Sequence, residues 1–204
     1  MTIAIIDYGM GNLRSVQKAF ERLGYNPVVT SDAAMLEQAD RIVLPGVGAI
    51  ADAAAALKRQ RLIDPIHRAV ETGKPFLGIC LGFQLLFDSS EENGHCAGLG
   101  LIPGRVVRFQ PQPGLPVPHI GWNTLTLTEP APAIFRDLSS GVHFYFVHSY
   151  YAVCDDAQSI AATTDYGLPF CSAIARGNLF GTQFHPEKSQ SAGMTLLKNF
   201  AQLS

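Results

Sequence analysis

Phe76-Leu77-Gly78-Ile79-Cys80-Leu81-Gly82-Phe83-Gln84-Leu85-Leu86-Phe87 is the longest apolar stretch in the chain, and only Gln84 interrupts it. It is too short to span a bilayer, which takes about 18 or more apolar residues. Phe76–Ile79 has the length of a buried strand, and Phe83–Phe87 can be helical. The glycines around Cys80 put a sharp turn between the two. A nucleophile on such a turn needs small neighbours two residues to either side, because larger side chains collide with the strained backbone; Gly78 and Gly82 meet that need, with Cys in place of Ser. A helix N-terminus favours the thiolate, the reactive form of cysteine. The Leu81 amide would point where an oxyanion develops. Read blandly, the same residues are a buried Cys in a turn whose glycines are structural.

Upstream of this stretch, strands and helices alternate. Ile3–Ile6, Pro27–Thr30 and Ile42–Leu44 are short apolar runs. Leu13–Leu23 has helical spacing closed by Gly24, and Ala51–Arg59 and Ile66–Thr72 read as two more helices. Strands that are apolar throughout belong to a parallel sheet covered on both faces. Downstream the pattern changes. Arg105–Phe109, Thr124–Leu127, Val142–Val147, Tyr150–Val153, Ser159–Thr163, Cys171–Ala175 and Leu179–Gln183 read as successive antiparallel strands. Gln110–Pro118 is a Pro-rich exposed loop, and Ala192–Ala201 is a last helix. The expected fold is one α/β domain over residues 1–204. It has a mostly parallel central sheet flanked by helices, with additional antiparallel strands in the C-terminal half.

Composition agrees with a globular chain: of 204 residues, 47% are hydrophobic and 16% charged. A formal net charge of −2 without a basic stripe argues against a nucleic-acid partner. Met1–Asp7 carries no basic region and reads as a strand, not a signal peptide. No apolar run is long enough for a membrane. Cys80, Cys96, Cys154 and Cys171 form no C-x-x-C pair, which fits free thiols in a reducing compartment, the cytoplasm. His95-Cys96 could hint at a metal, but no second ligand pair at zinc-like spacing accompanies it. We expect no metal and no cofactor.

A cysteine nucleophile needs a histidine to move protons, and the histidine needs a group that orients it. Gly181-Thr182-Gln183-Phe184-His185-Pro186-Glu187 offers both. In an extended segment residues i and i+2 project to one side, so Glu187 can reach the far nitrogen of His185. The remaining histidines, His67, His95, His119, His143 and His148, read as surface or packing residues. Pro45-Gly46-Val47-Gly48 follows the strand Ile42–Leu44, at the carboxyl end where ligands bind in open α/β sheets. Its glycines allow a substrate close to the main chain. A plain strand-to-helix turn is the alternative, and no phosphate-loop pattern is present.

Together these segments resemble the class I glutamine amidotransferases of the triad type. Gly78-Ile79-Cys80-Leu81-Gly82 and Phe184-His185-Pro186-Glu187, in this order, carry the resemblance. Asp7-Tyr8-Gly9-Met10-Gly11-Asn12-Leu13, Pro45–Gly48, Gly121-Trp122-Asn123, Phe146-Val147-His148-Ser149-Tyr150 and Glu187-Lys188-Ser189 are similar to the glutaminase subunits of imidazole glycerol phosphate synthases. The likeness runs from Ile3 into the last helix. Phe83 and Ile120 stand where that family often has Met, which are apolar exchanges.

The resemblance implies glutamine as substrate and Cys80, His185 and Glu187 as the catalytic triad. It also implies oxyanion donors at Leu81 and in the Val47 loop, a loop that awaits a partner signal. Glutamine contacts are implied at Gly48, Gln84, Ser149 and Tyr150, the last two through backbone. The implied partner is a (β/α)₈ cyclase subunit that receives the ammonia. Asn12, Trp122, Tyr145 and Lys188 are the expected docking residues, with Trp122 equally readable as a core aromatic. Other readings are the glutaminase of another synthase, a stand-alone hydrolase of γ-glutamyl bonds, a non-catalytic relative and a redox sensor. Asp7–Leu13 and Gly121–Asn123 argue against the first two. The intact triad argues against the third, and the lack of a second Cys near Cys80 against the last.

Overall fold

The structure is a computed structural model and describes residues 1–203. Its first half alternates as β1 (Ile3–Ile6), α1 (Leu13–Arg22), β2 (Val28–Thr30), α2 (Ala33–Gln38), β3 (Arg41–Gly46), α3 (Ile50–Arg59), α4 (Ile63–Glu71), β4 (Phe76–Cys80) and a one-turn α5 (Leu81–Gln84). Then come β5 (Phe87–Ser90), β6 (Cys96–Ala97), β7 (Ile102–Arg108), β8 (His119–Thr124), β9 (Thr126–Leu127), β10 (His143–His148) and β11 (Tyr150–Cys154). β12 (Ile160–Asp165), β13 (Pro169–Arg176), β14 (Leu179–Thr182) and α6 (Gln190–Ala201) complete the chain. Among the described residues, twelve strands form one sheet, ordered β2-β1-β3-β4-β14-β13-β11-β7-β5-β6 with β12 and β9 branching from β13. The strands from β2 to β14 are parallel to their neighbours, and β13 then turns back antiparallel on β14. The expected mostly parallel sheet with antiparallel additions is what forms.

Strand alternation decides which helix covers which face. Ile3, Ile5, Val43, Leu77 and Ile79 point to the side where Val16 and Phe20 of α1 and Leu196, Leu197 and Phe200 of α6 lie. Ala4, Ile6, Ile42, Leu44 and Phe76 point to the opposite side, toward Leu36 of α2, Ile50 and Leu57 of α3 and Ile66 of α4. Both sets are buried, so these strands cannot alternate with polar residues. Full burial of each such Leu, Ile or Phe side chain contributes about 1.5–3 kcal/mol.

Three expectations change. The sequence reading had no α2; it is a short helix capped by Asp32, whose side chain accepts from Ala34 N. The helix expected over Phe83–Phe87 stops at Gln84, and Phe87 instead opens β5, pairing with Ile102 of β7. The strand expected at Thr124–Leu127 is divided at buried Leu125: Thr124 ends β8, which pairs with β10 as a two-stranded ribbon apart from the main sheet, and Thr126–Leu127 form β9, which pairs with β12. Residues 110–118 are mostly exposed, as a Pro-rich loop should be. No helix among the described residues is long and apolar enough to cross a membrane.

Candidate active site

Cys80 ends β4 at the carboxyl edge of the sheet. Its neighbours are fixed by register: Gly46 of β3 lies opposite Cys80 on one side, and Thr182 of β14 lies opposite Ile79 on the other. The register therefore sets the Val47–Gly48 loop and the Gln183–His185 segment on either side of the sulfur. Cys80 itself has φ 55 and ψ −107, a left-handed conformation that a non-glycine residue adopts only under constraint, at roughly 1–3 kcal/mol. The constraint is steric. A methyl group at Gly82 would stand 1.8 Å from Leu44 O, and one at Gly78 would stand 2.7 Å from Gly82 O. Only glycine at both positions lets α5 press this closely on β3 and β4. Because α5 is a single turn, its dipole is weak, and a positive charge beside the sulfur must come from elsewhere.

His185 supplies it. The residue is extended at φ −102 and ψ 94, and Pro186–Lys188 then form a tight 3₁₀ turn. That turn, not a continued extended segment, brings Glu187 Oε1 to 2.8 Å from His185 Nδ1. Both side chains are buried. The segment is pinned from outside: His185 N donates to Tyr145 O of β10, and Ser189 Oγ donates to His185 O while accepting from Tyr145 N. His185 Nε2 is buried without a formed hydrogen bond, so its approach to Cys80 is a loose electrostatic contact. Burial alone pushes the imidazole pKa down, but the interactions with Cys80 and Glu187 override it and raise the pKa from 6.5 to about 10. His185 is therefore an imidazolium near neutrality, a cation set beside the sulfur.

A cavity of about 450 Å³ opens over the sulfur. Val47, Gly48, Cys80, Leu81, Gln84, Ser149, Tyr150 and His185 all line it, so the positions expected to act on or hold a substrate converge on one space. The Tyr150 carbonyl already accepts from Gln84 Nε2 and His148 Nδ1, which fills both of its lone pairs. Lys188 sits at the rim, with Nζ 5.9 Å from the centre of the Tyr145 ring. Tyr145 lies across the ribbon from Trp122, their rings 6.1 Å apart. Trp122 is 47% exposed, which removes the reading of it as a core aromatic. Asn12, exposed at the start of α1, borders the same crevice as Val47, His185 and Glu187.

Several residues of this site were not singled out from the sequence. Gln183 is fully buried, with Nε2 3.9 Å from Cys80 Sγ and Oε1 2.9 Å from Gln84 Nε2. A polar residue inside an apolar strand, two before His185, was the available signal. Tyr8 is buried and donates to Pro45 O; burial first, and then the charge of Cys80, push its hydroxyl pKa up. Glu92 and Pro118 line the cavity, and Glu92 accepts from Ile50 N. His119 and His148, assigned to surface or packing roles, are buried, and His148 reaches the cavity wall. Among the described residues no group of three or more His, Cys, Asp or Glu is arranged to hold a metal.

Residues 4–203 match the model of the family Glutamine amidotransferase class-I. A relative from Syntrophotalea carbinolica, named imidazole glycerol phosphate synthase subunit HisH, is 57% identical, with 98% of this chain and all of the relative covered. One from Moorella thermoacetica with the same name is 54% identical over 98% of this chain and 94% of its own length. Among solved structures, PurLQS from Thermotoga maritima superposes with a TM-score of 0.75 at 21% identity, over 98% of this chain and 97% of that one, a likeness of fold.

Proposed function

The chain belongs to the class I glutamine amidotransferases, and from that membership we propose that it is the glutaminase subunit of an imidazole glycerol phosphate synthase, serving histidine biosynthesis. The observation that carries the mechanism is the buried series Cys80, His185 and Glu187 on a strained turn, with Nδ1 of the histidine bound to the carboxylate and Nε2 left for the sulfur.

Cys80 attacks the side-chain amide carbon of glutamine. The oxyanion is held by Leu81 N–H and by an N–H of the Val47 loop, donors that act where charge develops. His185 gives its Nε2 proton to the leaving nitrogen, which departs as ammonia and leaves a glutamyl thioester. His185 then takes a proton from water, whose oxygen attacks the thioester. Glutamate leaves, and the sulfur regains its starting form. Glu187 holds the imidazole in orientation and stabilises its charge throughout, without itself taking the proton.

Ammonia released into neutral water is mostly protonated and no longer nucleophilic. A synthase that uses it gains from a sealed path to a second subunit, which we take to be a (β/α)₈ cyclase. The exposed Trp122, Lys188 and Asn12, with the half-buried Tyr145 between Trp122 and Lys188, are the surface we assign to it.

Glutamate release from glutamine tests this reading, measured with the purified chain alone and with the cyclase subunit and its nucleotide ligand. We expect low release alone, a large rise with the partner, and loss of both in Cys80→Ala. Full activity alone, unchanged by the partner, would point to an independent hydrolase and remove ammonia delivery from the account.

A further inference from the structure

Tyr8 is a buried phenol whose hydroxyl the mechanism does not use. It lies in the core with Leu44, Ile50 and Leu81. A buried hydroxyl needs a partner, and this one donates to Pro45 O at 3.0 Å. The end of β3 explains why. Ile42 N bonds to Pro75 O, on the β4 side. Along a strand the backbone groups of successive residues face alternate neighbours, so Leu44 and Gly46 also face β4 while Pro45 faces β1. The pairing of β1 with β3 runs only as far as Val43. Proline has no N–H, so a single carbonyl oxygen stands at this edge of β3. Tyr8, just past the end of β1 at Ile6, reaches it with its side chain. At this level β4 holds one edge of β3, and Tyr8 holds the other.

The residues that follow Pro45 belong to the site. Gly46 lies opposite Cys80. A carbon added at Gly46 would collide with Tyr8 Oη and meet Leu81 Cβ at 3.0 Å and Gly82 N at 3.2 Å. The phenol oxygen, Gly46 and the Leu81 turn are therefore packed with no spare room. Val47 and Gly48 come next, Gly48 at φ 101. The loop ends at α3, where Ile50 N donates to Glu92 Oε2 at 2.8 Å. A side chain thus holds the segment at each end, and the peptides left free to turn are those between Gly46 and Ala49. Burial, and after it the charge of Cys80, keeps the Tyr8 hydroxyl protonated, so it stays a donor.

We propose that Tyr8 is a positioning residue for oxyanion binding. Its hydroxyl fixes the Pro45 carbonyl, and with it the peptide from which the Val47 loop departs, so that a loop N–H can be set beside Leu81 N–H. Tyr8 acts through the backbone, from beneath the site. This rests on the glutaminase reading and adds to it the group that anchors one side of the oxyanion hole.

The test uses the full-length chain with the proposed cyclase subunit and its nucleotide ligand. Tyr8→Phe removes one oxygen and keeps the ring in the core. Loss of an oxyanion donor itself lowers kcat about 10²–10³-fold. A residue that acts through the loop should cost less: we expect kcat for glutamate release to fall about tenfold, with KM for glutamine within about twofold. Alkylation by iodoacetamide separates the oxyanion from the nucleophile. There the Cys80 thiolate displaces iodide and no oxyanion forms, so the rate, followed at the Cys80 peptide by mass spectrometry, should stay within about twofold of the wild type. A structural role that disturbed the triad would slow both reactions together. A second variant approaches the contact from the other side. Gly46→Ala should displace the hydroxyl, so adding Tyr8→Phe to it should cost less than about twofold more in kcat. An unchanged kcat in Tyr8→Phe, equal slowing of hydrolysis and alkylation, or losses that multiply in the double variant would each overturn the proposal. No glutamate release by the wild-type chain with its partner would instead remove the glutaminase reading, and this proposal with it.

Discussion

At the scale of single residues, the proposed mechanism turns on one carboxylate set behind the histidine. Glu187 fixes the ring of His185 through a buried 2.8 Å contact. Glu187→Gln keeps the size and removes the charge, and it can bind the wrong ring form. In the Ser-His-Asp template that change lowers kcat on the order of 10⁴-fold. We expect a fall of at least about 10²-fold here, with KM for glutamine nearly unchanged. A KM effect as large as the kcat effect would mean that Glu187 shapes the pocket instead. The same residue governs a pH dependence. The imidazole is more basic in the folded chain, at about 10, than its ordinary value of 6.5. Its stabilisation is therefore complete below about pH 6.5 and is lost as pH rises toward 10. The melting temperature of the wild type should decline across that window more steeply than that of Glu187→Gln. Parallel curves would mean that the carboxylate does not support the imidazolium.

At the scale of elements, the β4–α5 turn is the part most sensitive to a single methyl group. Gly→Ala within a helix normally stabilises by up to about 1 kcal/mol. At Gly82 the added carbon would meet Leu44 O at 1.8 Å, and that atom is backbone and cannot step aside. Gly82→Ala should therefore destabilise, by about 3 kcal/mol, read as a lower urea midpoint, with glutamate release lost as Cys80 shifts. A stability gain would show that the turn is not held by this contact. The turn was legible in the sequence because the requirement is local: two glycines in register with a nucleophile. The parallel strands β1, β3 and β4 were legible because burial on both faces leaves them apolar throughout. β8 was not. It contains His119, Gly121 and Asn123, residues common in loops, and its alternation emerges only when His119 is buried against Phe109, Phe146 and Tyr166. The link between Gln183 and Cys80 was hidden for a related reason. It depends on the register of β14 against β4, and no residue type announces a register.

At the scale of the whole molecule, one surface is too apolar to be left to water by accident. Val47, Ile120 and Trp122 are 41%, 60% and 47% exposed, and apart from Met1 they are the exposed large hydrophobic residues among those described. Ile120 and Trp122 share the outward face of β8, opposite Val147 and Tyr145 of β10, and Val147 and Val47 both line the cavity over Cys80. The apolar surface is thus continuous with the mouth of the site. A partner seated there would close the cavity and contact the Val47 loop in the same step, which joins docking to oxyanion formation. Aromatic anchors of this kind commonly contribute 2 kcal/mol or more to an interface, while truncating an exposed side chain changes folding stability by about 0.5 kcal/mol or less. Trp122→Ala should leave the melting temperature within about 2 °C of the wild type and weaken binding to the proposed cyclase subunit roughly 30-fold in calorimetric titration. Glutamate release at saturating partner should recover most of the way, because the contacts around Cys80 remain. Undiminished binding by Trp122→Ala would place the interface elsewhere, and a collapse in stability would show that Trp122 packs inward in solution.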